Sequence, residues 1–292
     1  MYRQPPGSPI ELPDDFPWDK TIGLLLDALQ IKNIRQRLYE WCAAPEVDLL
    51  YGGTCWAEFS HISPCLIRIR DAYNPILQQF LVNTGDDWGY LLVSDGSWKE
   101  LLAHMRWLTS FCPVPDDEMY LRIPYPDIAH ALFAPECFPR AEVFGPCQQV
   151  VVANDRFEGW RQYHRPGDRL LQVPNAPYIT NEAQWVALKA VNFRLSVKNL
   201  YRHMSDLFPG YRADLTPRQR LERVHQLVDS AIERGFRTRH EIWLYANVFG
   251  FLGDEGVQSH PDIVNLLTIE SDLTSFERVD RAATLAQQRS IQ

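Results

Sequence analysis

The sequence predicts a mixed α/β N-terminal lobe with a smaller all-α C-terminal lobe, and three observations support that prediction. Across residues 20–153, short apolar runs alternate with stretches of helical periodicity, as strands and helices do in an α/β domain. After Thr180 the strand signals vanish, and apolar residues recur only at steps of three and four. The best-punctuated stretch, Trp88 to Tyr125, reads as strand, turn, helix, turn and strand.

Each part of that stretch has a local cause. Tyr90 to Val93 is a short run of strand formers closed by the turn residues Ser94, Asp95 and Gly96. Ser97 with Glu100 three residues later fits a capping box, in which each side chain satisfies an orphan backbone N–H. Trp98, Leu101, Leu102, Met105 and Leu108 then fall on one buried face. Cys112-Pro113-Val114-Pro115 ends the helix, because proline supplies no N–H and disfavours a helical residue before it. Met119 to Ile123 resumes as a strand. The unit is a crossover, and the pattern leaves open whether its two strands are parallel.

The remaining elements follow in chain order. Residues 1–19, with Gln4-Pro5-Pro6-Gly7-Ser8-Pro9 and the acidic segment to Asp15, are expected to form a mobile tail. Lys20 to Leu26 is the first strand of the 20–153 lobe. Ile34, Leu38, Tyr39 and Cys42 mark a helix, and Val47 to Tyr51 and Cys65 to Ile69 mark two strands. Asn74-Pro75 starts a helix with proline at its first position, and Tyr125-Pro126-Asp127 opens another. Gln149 to Ala153 is expected to be the last strand. Residues 154–179, punctuated by Gly159, Pro166, Gly167, Pro174 and Pro177, read as a connector to a helical lobe at 180–292. In that lobe Trp185, Leu188, Val191, Leu195 and Leu200 mark one long helix. Thr216-Pro217 caps a second, which Gly235 stops, and Thr238 with Glu241 caps a third. His260-Pro261 and Thr274-Ser275 begin two more.

Composition narrows the function. A chain of 292 residues, 46% hydrophobic and 23% charged, has a real core. Its length suggests about two domains. The net charge of −8 disfavours non-specific nucleic-acid binding, which depends on neutralising phosphates with Lys and Arg. No apolar run approaches the roughly 18 residues needed to span a bilayer, and Met1 to Pro17 lacks the basic start and apolar run of a secretory signal. The simplest localisation is cytoplasmic. The six cysteines (Cys42, Cys55, Cys65, Cys112, Cys137 and Cys147) show no C-x-x-C pair, and in a reducing compartment they read as small buried hydrophobes.

Several constellations resemble chemical sites. Asp86-Asp87 could be a catalytic carboxylate pair, since adjacent acids can raise one pKa, but no base or nucleophile is tied to it by spacing and a solvated turn before a strand is the favoured reading. Cys55, His61 and Cys65 match no familiar zinc spacing. His240-Glu241 lacks the second histidine of a zincin, and Gly250, Gly253 and Gly256 follow no strand. His104 falls one turn after Glu100, which predicts an i,i+4 pair on a solvated face. Neither a cofactor nor a metal is expected. Arg212, Arg218, Arg220, Arg223, Arg234, Arg237 and Arg239 outnumber the acids interspersed with them. Two helices joined through Gly235 could imitate a DNA-binding helix-turn-helix, but the acidic chain favours a solvated face or a docking surface. Arg234, Arg237, Arg239, Trp243 and Tyr245 are the expected partner-binding residues, because an exposed aromatic beside arginine is the usual composition of a binding hot spot.

The order and spacing of several blocks add a resemblance. Ile22-Gly23-Leu24-Leu25-Leu26-Asp27-Ala28, Leu49-Leu50-Tyr51-Gly52-Gly53-Thr54, Ser63-Pro64-Cys65-Leu66-Ile67, Trp88-Gly89-Tyr90-Leu91-Leu92-Val93-Ser94, Leu121-Arg122-Ile123 and Phe144-Gly145-Pro146 are similar, in that order, to the bacterial type VI secretion effector adaptor (chaperone) family. The chain departs from that pattern at Pro124-Tyr125-Pro126, where the family tends to have an aromatic, an acid and a proline. The resemblance implies a non-enzymatic protein that binds a cognate toxic effector and loads it onto the VgrG spike. The alternatives are a hydrolase using Asp86 and Asp87, or a nucleic-acid-binding helical module.

Overall fold

β1 (Thr21–Leu26) is the strand on which the first unit is built, and nearly all of it is buried. The structure is a computed structural model describing residues 11–109, 121–154, 159–169, 176–268 and 272–290. The chain divides into two units, Met1–Val191 and Asn192–Gln292. In the first, β1 lies between β3 (Cys65–Ile69) and β4 (Gly89–Ser94), with β2 (Val47–Leu49) beyond β3, and β5 (Cys147–Asn154) and β6 (Gly159–His164) beyond β4. All five pairings are antiparallel.

Side-chain alternation sorts the two faces of this sheet. Ile22, Leu24, Leu26, Leu91 and Val93 pack with Ile34 and Leu38 of α1 (Ile34–Trp41) and with Ile76, Leu77 and Phe80 of α2 (Pro75–Val82). On the opposite face, Gly23 leaves room for Leu101 of α3 (Trp98–Leu108). There too the Tyr90 ring meets Phe133 of α4 (Pro126–Phe133), and Phe133 meets Phe144 of α5 (Ala141–Phe144). Because helices cover both faces, β1 and β4 lack the polar alternation of a half-exposed antiparallel strand. Asn74 caps α2 by accepting from the N–H groups of Ile76 and Leu77, and Ser97 and Glu100 form the expected capping box on α3.

Four expectations need correction. No strand forms over Leu121–Ile123, the described part of the Met119–Ile123 run, and the strand that follows α3 in the sheet is β5, antiparallel to β4. Gln149–Ala153 is not the last strand, because β6 pairs with β5 inside the stretch that read as a connector. Glycine and proline punctuation concealed it. Residues 11–19 are held in place: Phe16 is buried, Leu12 and Trp18 pack on the same core, and Trp160 Nε1 donates to the Glu11 carbonyl at 2.7 Å. Residues 1–10 and the Cys112–Pro115 helix stop lie outside the described residues. Trp98 is only half-buried, with its Nε1 donating to Asp48 at 2.9 Å.

His104 also departs from expectation. It is buried, with Nε2 2.9 Å from the Val143 carbonyl, while Glu100 turns to Ser97 and Arg169. Burial lowers its pKa from 6.5 to about 4, only partly offset by the Val143 carbonyl. Below pH 6.5 the unfolded chain takes up a proton that the folded chain refuses until about pH 4, so stability present above pH 6.5 is lost on acidification. At about 1.36 kcal/mol per pKa unit, the expected loss is about 3 kcal/mol. Urea unfolding across that range measures it. His104→Gln, which keeps a donor for Val143, is expected to flatten the profile, and an unchanged slope would assign the loss elsewhere.

α6 (Glu182–Leu207) begins in the first unit and ends in the second. The second unit is otherwise α7 (Pro217–Glu233), α8 (Arg239–Gln258), α9 (Pro261–Thr268) and α10 (Ser275–Ser290). Reciprocal capping boxes start α7 at Thr216/Gln219 and α8 at Thr238/Glu241. Gly235, at φ 87°, ends α7 as expected. Leu200, Met204, Val224, Leu227, Phe236, Tyr245 and Val248 form the core, closed by the small residues Ala282 and Ala286 of α10. The predicted fold class, mixed α/β followed by an all-helical region, is borne out.

Candidate functional site

The five residues expected to bind a partner do not share one surface. Tyr245 is fully buried, its hydroxyl 3.0 Å from Ser230 Oγ and accepting from Arg234 Nη1. Its ring packs on Phe236 and Phe249, with the Arg234 guanidinium 5.7 Å from its centroid. Tyr245 is therefore a core residue, and Arg234 caps it. Residues two apart on a helix diverge by roughly 200°. Trp243 accordingly lies on another face, half-buried, 4.4 Å from the His203 ring and under the Arg239 guanidinium at 4.9 Å. Arg237 lends its backbone N–H to Glu241 and leaves its side chain exposed. The surface that survives is Arg237, Arg239 and Trp243, a cation–π pair beside a second cation.

A second surface, in the first unit, was not found in the sequence. Phe138 is 75% exposed and sits in the left-handed region at φ 48°, ψ 53°, a conformation that costs a bulky residue energy. It lines an open groove of about 860 Å³ with Ala183, Val186, Ala187 and Ala190, the near face of α6. Val186 and the adjacent Ile179 are each 58% exposed. Polar bonds hold the apolar walls in place. Asn181 Nδ2 donates to the carbonyls of Cys137 and Phe138, both at 2.9 Å, while Asn181 Oδ1 accepts from the Gln184 N–H. Buried Gln184 accepts from the Tyr178 hydroxyl and donates to the Leu132 carbonyl, both at 2.8 Å. Arg140 at the rim donates to the Ile179 carbonyl and pairs with Glu142 at 3.1 Å. Trp185, Leu188, Val191, Leu195 and Leu200 mark this helix in the sequence, and nothing in that spacing points to the alanine face that lines the groove.

Asp86 and Asp87 do not act as a matched pair. Asp86 is exposed, whereas Asp87, at φ 56°, is half-buried and accepts from the Tyr125 hydroxyl at 3.2 Å. The acid near Asp87 is Asp27, distant in sequence, buried, and bonded to Arg122 Nε at 2.5 Å and to the Leu29 N–H at 2.9 Å. Burial raises the Asp27 pKa above its ordinary 3.8, and Arg122 pulls it back. A raised carboxyl contributes stability that is full below 3.8 and lost as pH rises through the folded value. Arg122→Gln removes the cation that opposes this loss. It is expected to destabilise by about 2 kcal/mol near neutrality and by less in acid, where a neutral Asp27 needs no counter-charge. Urea midpoints at the two conditions check this, and a cost that grew in acid would contradict it.

Among the described residues, no cluster of three or more His, Cys, Asp or Glu could hold a metal ion. Cys65 is buried with its thiol pushed up to about 12, while Cys55 and His61 are exposed. No helix of the described residues is long and apolar enough to cross a membrane.

Comparison with known proteins adds to this geometry. Residues 24–140 match the family model described as a domain of unknown function, DUF4123. Over 269 residues the chain is 25% identical to the protein named Accessory protein VasW of Vibrio cholerae serotype O1 (strain ATCC 39315 / El Tor Inaba N16961). The match covers 91% of this chain and 88% of that protein. No solved structure matches the chain. The resemblance read from the blocks between residues 20 and 153 is borne out.

Proposed function

We propose that the protein is a cytoplasmic, non-enzymatic adaptor of type VI secretion. It holds a segment of a cognate toxic effector in the Phe138 groove and presents that effector to the VgrG spike. The family match over residues 24–140 and the similarity to an accessory protein over most of both chains support the secretion role. The observation on which the docking role rests is Phe138, an aromatic kept 75% exposed in a strained backbone conformation above an apolar wall. Burying such a surface on a partner supplies binding energy, and rim groups such as Arg140 and Glu182 supply specificity. Arg237, Arg239 and Trp243 form a second contact surface suited to an acidic or polar partner. The test is co-purification of the chain from its native host together with the products of neighbouring genes, followed by crosslinking. Recovery of a toxin crosslinked near Phe138 or Val186, with a spike protein, is expected. Recovery of neither protein overturns the reading.

A further inference from the structure

Behind the turn that joins α6 to α7, two arginines converge on one carboxylate and a third lines the same pocket. Asp254 Oδ1 accepts from the Tyr211 hydroxyl at 3.0 Å and from Arg223 Nη2 at 2.6 Å, while Oδ2 accepts from Arg212 Nη1 at 3.3 Å. Arg220 lines the same pocket with Tyr201, Ser205 and Phe208. Asp214, 3.5 Å from Arg212 Nη2, is the other acid nearby, and it is largely solvated. Guanidinium charge therefore exceeds carboxylate charge inside the pocket.

Two donors there have no acceptor. Arg212 Nε and Arg220 Nε are buried and lack a hydrogen-bond partner among the described residues. Buried donors are ordinarily satisfied, and a group left unpaired demands an explanation. The pocket retains about 10 Å³ for a small atom, enough for a single oxygen. Its backbone is strained at Arg212, which adopts φ 49°, and α8 breaks at Gly253, φ 73° and ψ 168°, immediately before Asp254. The Phe208 ring sits so close to α8 that a Cβ on Gly250 would fall 2.5 Å from it. Strain of this kind persists where the surroundings over-determine a site. A water molecule in the pocket would leave the excess positive charge uncompensated.

We propose that this pocket binds an oxyanion, a carboxylate or phosphate group with one oxygen seated between Arg212, Arg220 and Arg223. Charge-assisted bonds from guanidinium forks recognise both groups. The site lies within the helical unit and does not depend on the adaptor reading. Calorimetric and thermal-melting titrations of the full chain with inorganic phosphate and with acetate, at ionic strength held constant with chloride, test it. Saturable binding is expected with at least one probe. Saturation by acetate alone assigns the site to carboxylates, and saturation by phosphate alone to phosphate groups. Arg220→Gln is expected to weaken binding about tenfold, the scale of one charge-assisted hydrogen bond. Arg218→Gln, at an exposed position, leaves it unchanged. Should Arg220→Gln not fold, Arg220→Lys, which keeps the charge and loses the Nε donor, makes the same test. No saturation beyond the chloride control, or equal binding by the Arg220 variant and the parent, would overturn the proposal.

Discussion

Phe138→Asn is expected to leave a fold at least as stable as the parent and to abolish effector capture. The two effects separate because the residue is mostly exposed and its backbone is left-handed. Asparagine tolerates that region better than any bulky residue, so the substitution relieves strain of about 1 kcal/mol. The aromatic surface is lost at the same time. A central aromatic anchor commonly contributes enough that its truncation weakens binding by about a thousandfold, which a co-purification would read as loss of the partner. Urea unfolding and quantitative pull-down of the same variant measure both halves. Undiminished capture by a stable Phe138→Asn protein would remove the groove from the adaptor function, leaving the Arg239–Trp243 surface to be tested next.

What the sequence revealed depended on how local the cause was. The capping boxes at Ser97 and Thr238 join residues three apart, the Thr216-Pro217 cap joins neighbours, and each start that they predict is found. β1 and β4 were readable because both faces are covered, making their runs uniformly apolar. β6 begins at Gly159 and is largely half-buried or exposed, with only Tyr163 buried, so no apolar run announced it. His104 and Tyr245 were misplaced for a related reason. Helical spacing says which residues share a face, but tertiary packing decides which faces are buried. At the candidate sites the decisive contacts join distant residues: Asp27 with Arg122, Asn181 with Phe138, and Asp254 with Arg212 and Arg223. No spacing rule reaches across such separations, so sequence reading reached the adaptor hypothesis through resemblance and not through its site residues.

Gly89→Ala is expected to prevent folding of the first unit, and the reason lies in the β1–β4 register. Gly89 opposes Leu26 and Tyr90 opposes Leu25. Gly89 stands at φ 156°, where a Cβ would lie 1.8 Å from the Leu25 carbonyl oxygen and 3.2 Å from the Leu26 Cα. Both obstacles are backbone atoms of a strand fixed on its other edge by β3, so β1 cannot shift aside without breaking a second ladder. A side-chain clash could relax by rotation, but this one must displace the centre of the sheet. The loss should exceed about 4 kcal/mol, at the extreme of single substitutions. Gly53 provides the contrast: its φ is 74°, but nothing lies within 4 Å of the place a Cβ would take. Gly53→Ala should therefore cost only the left-handed penalty of about 1 kcal/mol. Circular dichroism and urea melts of the two variants, side by side, separate steric exclusion from conformational preference. Equal losses would mean that the chain does not pair Gly89 with Leu26. Asp87, two residues before Gly89, could then no longer be placed beside Asp27 and Tyr125.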